Sequence, residues 1–171
     1  PNWPNIQQRK DAIITGFRKG MAGGAQANSI TMFQGTATLT SPNQISIEDD
    51  GQTTQIEADK IILATGSQPV ELPNIPFEGQ TVLSSKEVLS LPDVPQSLAI
   101  VGGCVIGCEM TCVYAAMGTK VTIREALPQL VPMEDEWAAR LLLREFKKLG
   151  IVSMTGQKVA SVDTSTAPAK V

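Results

Sequence analysis

The sequence predicts an α/β chain, a parallel βαβ unit preceded by a helix and a small antiparallel meander. Three observations carry this. The hydrophobic period is helical over 3–22, becomes strand-like over 30–64, and then alternates between strand and helix over 97–163. Glycines stand where helices should stop, at Gly118 and Gly150. A β-α-β-α-β order requires crossover connections and hence parallel strands.

In chain order, Ile6, Ile13, Phe17 and Met21 share one face of a helix over 3–22, which Gly23-Gly24 is expected to end. Thr36–Thr40, Gln44–Glu48 and Thr53–Ala58 form the meander, with Pro42-Asn43 and Asp50-Gly51 at its turns. Lys60–Ala64 is a continuous apolar run after its lysine, as in a strand covered on both faces, and Thr65-Gly66-Ser67 closes it. Residues 68–96 hold Pro69, Pro73, Pro76, Pro92 and Pro95 and read as a connector, with a short strand near Thr81–Leu83 and a helical turn near Lys86–Leu91. Beyond it come strands at Ser97–Val101, Lys120–Arg124, Ile151–Met154 and Lys158–Val162, and helices at Val105–Met117 and Glu134–Leu149. The second helix has Glu134, Asp135 and Glu136 at its start, Lys147 and Lys148 at its end, and Ala138, Leu142, Phe146 and Leu149 as its apolar stripe. The tail, 164–171, has little to bury and is expected to be loose.

Composition excludes several classes. The chain has 171 residues, 42% hydrophobic and 18% charged, as in a globular protein. A net charge of −3 weighs against nucleic acid as partner. No apolar run approaches the roughly 18–20 residues of a membrane span. No basic stretch followed by an apolar core marks a signal peptide. The absence of histidine removes Ser/His and Cys/His nucleophile pairs and most zinc sites.

The segment Val101-Gly102-Gly103-Cys104-Val105-Ile106-Gly107-Cys108-Glu109 lies between a predicted strand and helix. That is the setting of the G-x-G-x-x-G fingerprint of Rossmann-like dinucleotide domains. Gly102 can make the tight turn, and Gly107 can bring helix and strand close. The N–H groups at the helix start, from Gly103 through Cys104, Val105 and Ile106, then face a pyrophosphate. Glu125, eighteen residues after Gly107 at the end of the next strand, is placed to accept from an adenine ribose and favours NAD over NADP. The neighbouring Arg124 would suit a 2′-phosphate, or is a solvated surface charge. Cys104 replaces the middle glycine and puts a Cβ where the backbone should meet phosphate. The bland alternative is a glycine-rich turn in a plain α/β unit.

Cys104, Cys108 and Cys112 are spaced i, i+4, i+8 and would share one helix face. An odd, clustered set is no disulfide framework, so a reducing compartment such as the cytoplasm is expected. Cys104, near the helix start, could be a reactive thiol. Cys108 and Cys112 are expected to be small buried packing residues, and no metal site is expected.

Ala64-Thr65-Gly66-Ser67-Gln68-Pro69, Leu72-Pro73, Ser84-Ser85, Leu98-Ala99-Ile100-Val101-Gly102-Gly103, Gly107-Cys108-Glu109, Lys120-Val121-Thr122-Ile123 and Glu125-Ala126 occur in an order and spacing that resemble the pyridine nucleotide-disulfide oxidoreductases, in particular the dihydrolipoamide dehydrogenase branch. The resemblance runs from about Trp3 to Val162. It implies that residues 1–67 correspond to part of an FAD domain, with Ala64, Thr65 and Gly66 against the flavin dinucleotide. Residues 68–96 are then a connector and 97–163 part of an NAD domain, with Glu109 matching an acid that reaches toward the flavin region. The parent reaction would be NAD-dependent oxidation of dihydrolipoamide. The family's FAD fingerprint, its C-x-x-x-x-C redox pair and its catalytic histidine are not found in this sequence. The resemblance therefore implies an internal piece with no catalytic residue of its own, inactive alone, that supplies NAD contacts and part of the FAD scaffold without retaining FAD. The alternative is a stand-alone dinucleotide-binding or non-catalytic structural module. Domain interfaces left uncovered would favour self-association.

Overall fold

The computed structural model describes residues 1–165 and Ala169. Most of the tail expected to be loose lies outside these residues. The chain divides into two compact units, one of Pro1–Asn5 with Pro69–Val171 and one of Ile6–Gln68.

The unit built on Ile6–Gln68 carries most of α1 (Trp3–Ala27) and the three-stranded antiparallel sheet β1 (Thr36–Ser41), β2 (Gln44–Asp49) and β3 (Gln52–Glu57), in the order β1-β2-β3. Helix α1 runs through Gly23-Gly24 rather than ending there. Each glycine costs a helix only about 1 kcal/mol, which is not enough to break it. The stop comes where C-terminal carbonyls find donors. Ile30 N–H donates to Ala25 O, Ser29 N–H to Gln26 O and the Asn28 amide to Gly24 O, with Ser29 at φ 55°. Asp50 and Gly51, both at positive φ, make the two-residue hairpin that pairs Asp49 with Gln52.

The expected strand at 60–64 is not formed, and Ile62 is 90% exposed. A strand needs neighbours for its N–H and C=O groups. Among the described residues none pairs with this run, so its apolar pattern alone does not make it a strand. The apolar face of α1 is likewise exposed at Ile13, Phe17 and Met21.

The other unit holds the parallel sheet β4 (Ser97–Val101), β5 (Lys120–Glu125) and β6 (Val152–Thr155), in the order β4-β5-β6. Helix α3 (Val105–Ala116) joins β4 to β5, and α4 (Glu136–Lys148) joins β5 to β6. Register runs from Ser97↔Lys120 to Val101↔Arg124, then from Thr122↔Val152 to Glu125↔Thr155. Cys108 of α3, Phe146 of α4 and Ile123 of β5 pack in one cluster with Leu130 and Ile151. Burying a side chain such as Phe146 or Ile123 contributes about 1.5–3 kcal/mol. Trp3, the first residue of α1, joins a second cluster with Val88, Tyr114 and Val121, and its indole N–H donates to Leu91 O at 2.9 Å. Gly118 and Gly150 end their helices as expected.

Several sequence expectations are corrected. The predicted strand at Thr81–Leu83 is a turn, because the Glu78 carboxylate captures the N–H groups of Thr81 and Val82. Those bonds also hold the Glu78 carboxyl below its ordinary value. The predicted helical turn is the four-residue α2 (Ser85–Val88), closed by a capping box between Ser84 and Glu87. Helix α4 starts two residues late, after a turn in which Glu134 N–H donates to Val131 O. Its buried residues are Ala139 and Phe146, while Leu149, at the C-cap, is exposed. No strand forms at 158–162, where the chain leaving β6 is instead tied back by Gln157 N–H to Glu125 O and Gly156 N–H to Leu127 O.

Gly16 lies inside α1 with nothing within 4 Å of a built Cβ. Gly16→Ala is expected to raise stability by about 0.5–1 kcal/mol. Urea unfolding followed by circular dichroism measures it, and an unchanged midpoint would mean that this part of α1 does not contribute to the cooperative fold.

Candidate dinucleotide-binding site

The loop between β4 and α3 is shaped by two glycines. Gly102 has φ 108°, a conformation that side chains rarely adopt, and its N–H donates to Arg124 O at 2.8 Å. Gly107 packs so tightly that a Cβ would lie 2.0 Å from Gly102 O and 3.3 Å from Ile100 Cγ2. Any side chain at 107 would push α3 off β4.

Gly103 is held from both sides. Its N–H donates to Glu125 Oε2 at 2.6 Å, and its C=O accepts from Val131 N–H at 2.6 Å and from Cys108 Sγ at 3.5 Å. The second Glu125 oxygen accepts from Leu127 N–H at 2.7 Å. Glu125 is buried, and its carboxylate ties the glycine loop to the β5–α4 connection.

Cys104 is the N-cap of α3, exposed, with φ −71° and ψ −177° and no side-chain capping bond. Val105 and Ile106 follow it, exposed, in the first turn. Gly102, Gly103, Cys104, Gly107 and Glu125 are therefore brought together by direct contacts or chain continuity. Glu109 is exposed and lies beyond the first turn of α3. Ala64, Thr65 and Gly66 lie exposed in a segment without regular structure, in the other unit. Arg124 is half-buried, and its Nη1 donates to Gln157 Oε1 at 3.4 Å.

The cysteines do not share one environment. Cys108 is buried, whereas Cys112, expected to be buried, is exposed. A helix turns slightly more than one revolution in four residues, which carries residue 112 away from the sheet. Burial pushes the Cys108 thiol up to about 11, helped by the neighbouring Cys104 and Cys112. Among the described residues no group of three His, Cys, Asp or Glu side chains is arranged to hold a metal ion.

Sequence reasoning missed Leu130 and Val131. Leu130 is fully buried, with its Cδ2 2.6 Å from where a Gly103 Cβ would stand. The available signal was Pro128 and Pro132, which bracket a turn in an otherwise apolar stretch.

A parallel sheet with a glycine loop between its first strand and helix, and an acid ending its second strand, defines a Rossmann-like α/β unit of the reductase type. The profile of the pyridine nucleotide-disulphide oxidoreductases matches residues 3–171, and the chain belongs to that family. It is 38% identical over 162 residues to a dihydrolipoyl dehydrogenase of Bacillus subtilis, covering 95% of this chain and 35% of the relative. Against a dihydrolipoyl dehydrogenase of Chlamydia pneumoniae it is 34% identical over 164 residues, covering 96% and 35%. LpdA from Mycobacterium tuberculosis superimposes with a TM-score of 0.87 at 25% identity, covering 97% of this chain and 38% of that one. A HOCl-induced flavoprotein disulfide reductase, RclA from Escherichia coli, gives 0.84 at 26%, with the same coverage. The chain thus spans about a third of the length of the curated relatives it matches. Among the described residues no helix is long and apolar enough to cross a membrane.

Two predictions follow from the packing of α3. Gly107→Ala is expected to cost at least about 1–3 kcal/mol, because the added Cβ meets backbone rather than a side chain that can move. Chemical denaturation measures this, and a neutral result would mean that α3 can stand farther from β4. Between pH 9.0 and about 11 the unfolded chain has lost a thiol proton that folded Cys108 keeps. Stability contributed by Cys108 therefore falls as pH rises through that window. The melting temperature of Cys108→Ala, starting from a lower value, should decline less steeply there than that of the native chain.

Proposed function

We propose that this chain provides the adenine-side dinucleotide contacts of a dihydrolipoamide dehydrogenase-type flavoprotein, whose overall reaction is NAD-dependent oxidation of dihydrolipoamide. The observation that carries the reading is the Gly107–Gly102 contact, which seats the start of α3 directly behind the glycine loop. In that position the first N–H groups of the helix, which have no partner within it, meet a pyrophosphate. The residues that would hold NAD are Gly102, Gly103, Cys104, Val105, Ile106 and Gly107, with Glu125 on the ribose. Bound nicotinamide supplies hydride acceptance. The chain's part is to orient the dinucleotide and, through the negative charge of Glu125, to disfavour a 2′-phosphate.

The same reading assigns residues 1–67 to part of an FAD domain, 68–96 to a connector and 97–163 to part of an NAD domain. Ala64, Thr65 and Gly66 are exposed and belong to no sheet, so the residues present do not fit a flavin site on their own. The purified chain is proposed to be colourless and to have no dehydrogenase activity alone. Its exposed residues Ile13, Phe17 and Met21 support self-association. A monomer by sedimentation at high concentration would overturn that part.

Cys104 supplies the decisive test. NADH titration by calorimetry is expected to show weak binding by the native chain and weaker binding of NADPH. Cys104→Gly should bind NADH about tenfold more tightly, as expected for one restored charge-assisted hydrogen bond. Absence of binding by both proteins would make the loop a scaffold and end the dinucleotide reading.

A further inference from the structure

The β5–α4 connection contains a residue in a conformation its own chemistry opposes. Val131 has φ 43°. A β-branched side chain disfavours that region, and so does the proline that follows at 132. Such a conformation persists when its surroundings over-determine it. Here three contacts do so, and all concern the glycine loop or the turn itself. Val131 N–H donates to Gly103 O at 2.6 Å, and Val131 O accepts from Glu134 N–H at 2.8 Å. The fully buried Leu130 side chain lies over Gly103, its Cδ2 2.6 Å from where a Cβ would stand. Gly103 is thus kept small by Leu130 first and by Glu125 next, whose Cβ stands 3.0 Å from the same point, since its own φ lies outside the range that favours glycine.

We propose that the Leu130–Val131 turn is a positioning element for the dinucleotide loop. It fixes the Gly103–Cys104 peptide so that the Cys104 N–H faces an incoming pyrophosphate. In a trans peptide the C=O and N–H point in opposite directions. Anchoring Gly103 O on Val131 N–H therefore aims the Cys104 N–H away from the buried turn and toward the side where Cys104 is exposed. Glu125 completes the bracket by taking the Gly103 N–H, which leaves the Cys104 N–H as the loop donor that the turn presents. This inference rests on the dinucleotide reading of the site. It adds that the strained turn, which lies outside the fingerprint, sets the anion-binding geometry.

The test compares the native chain with Leu130→Ala, Leu130→Met and Gly103→Ala, by amide hydrogen exchange and by titration with NADH and with adenosine. Leu130→Ala should remove protection at Val131 and Gly103 while amides inside α3 and β5 keep theirs. It should weaken NADH binding about tenfold or more, as for loss of a charge-assisted hydrogen bond, and change adenosine binding by less than about twofold. Leu130→Met, which conserves volume, should restore both. Gly103→Ala presses on Leu130, and less closely on Glu125, without emptying the core. It is expected to reproduce the loss of protection at Val131 and the loss of NADH affinity should Leu130→Ala fail to fold. Equal weakening of NADH and adenosine, or intact protection at Gly103 in both disrupting variants, overturns the proposal. Absence of NADH binding by both the native chain and Cys104→Gly overturns the dinucleotide reading itself, and where only Cys104→Gly binds, the Leu130 and Gly103 variants are compared in that background. A failure of the turn alone is recognised by native binding that the variants leave unchanged.

Discussion

A volume left empty at Gly107 governs the site-bearing unit. With no Cβ there, α3 comes down onto the carbonyl of Gly102 and the side chain of Ile100. That seating places Cys108 among Ile123, Leu130 and Phe146, and Tyr114 beside Trp3 and Val121. The same seating brings the start of α3 to the end of β4, where the chain must turn at once and does so at Gly102 with positive φ. Core packing and the candidate ligand geometry therefore share one cause. Interiors are dense enough that a helix displaced by one methyl group would disturb both clusters together.

Around that contact the loops are linked through polar groups. Glu125 spends one carboxylate oxygen on Gly103 and the other on Leu127, while its backbone carbonyl accepts from Gln157. One residue at the end of β5 thus joins the connections that follow β4, β5 and β6. Both carboxylate oxygens retain further lone pairs, so this structural role is compatible with acceptance from a ribose hydroxyl. Replacing the acid would loosen the loops as well as remove the proposed ribose contact.

Legibility in the sequence followed the range of the interactions. Helix stops at Gly118 and Gly150 and the Asp50-Gly51 hairpin were legible because each is settled within a few residues. Gly102, Gly107 and Glu125 were legible because a βαβ unit fixes their spacing. Lys60–Ala64 was misread because an apolar run states a preference for burial but supplies no neighbouring strand. Thr81–Leu83 was misread because the Glu78 side chain competes for backbone donors, a choice that β-propensity does not register. The Leu130–Val131 turn stayed hidden for both reasons. Its partner Gly103 lies far back in the chain, and a valine before proline is a poor candidate for positive φ.

The role of the middle fingerprint position can be separated from the roles of its neighbours. Gly102 needs glycine for its dihedral angle, Gly107 for contact with backbone, and Gly103 for contact with the Leu130 and Glu125 side chains. Position 104 needs it for none of these. Its φ of −71° suits any residue, its side chain is exposed, and the helix begins normally after it. Cysteine is therefore accommodated by the fold without strain, and whatever it costs falls on a ligand approaching the loop. On the proposed dinucleotide reading, the residue at 104 therefore changes what the loop can accept while core packing is left intact. At position 104 the side chain alters the surface that the loop offers without passing through the Gly107 seating, which core packing and loop geometry share.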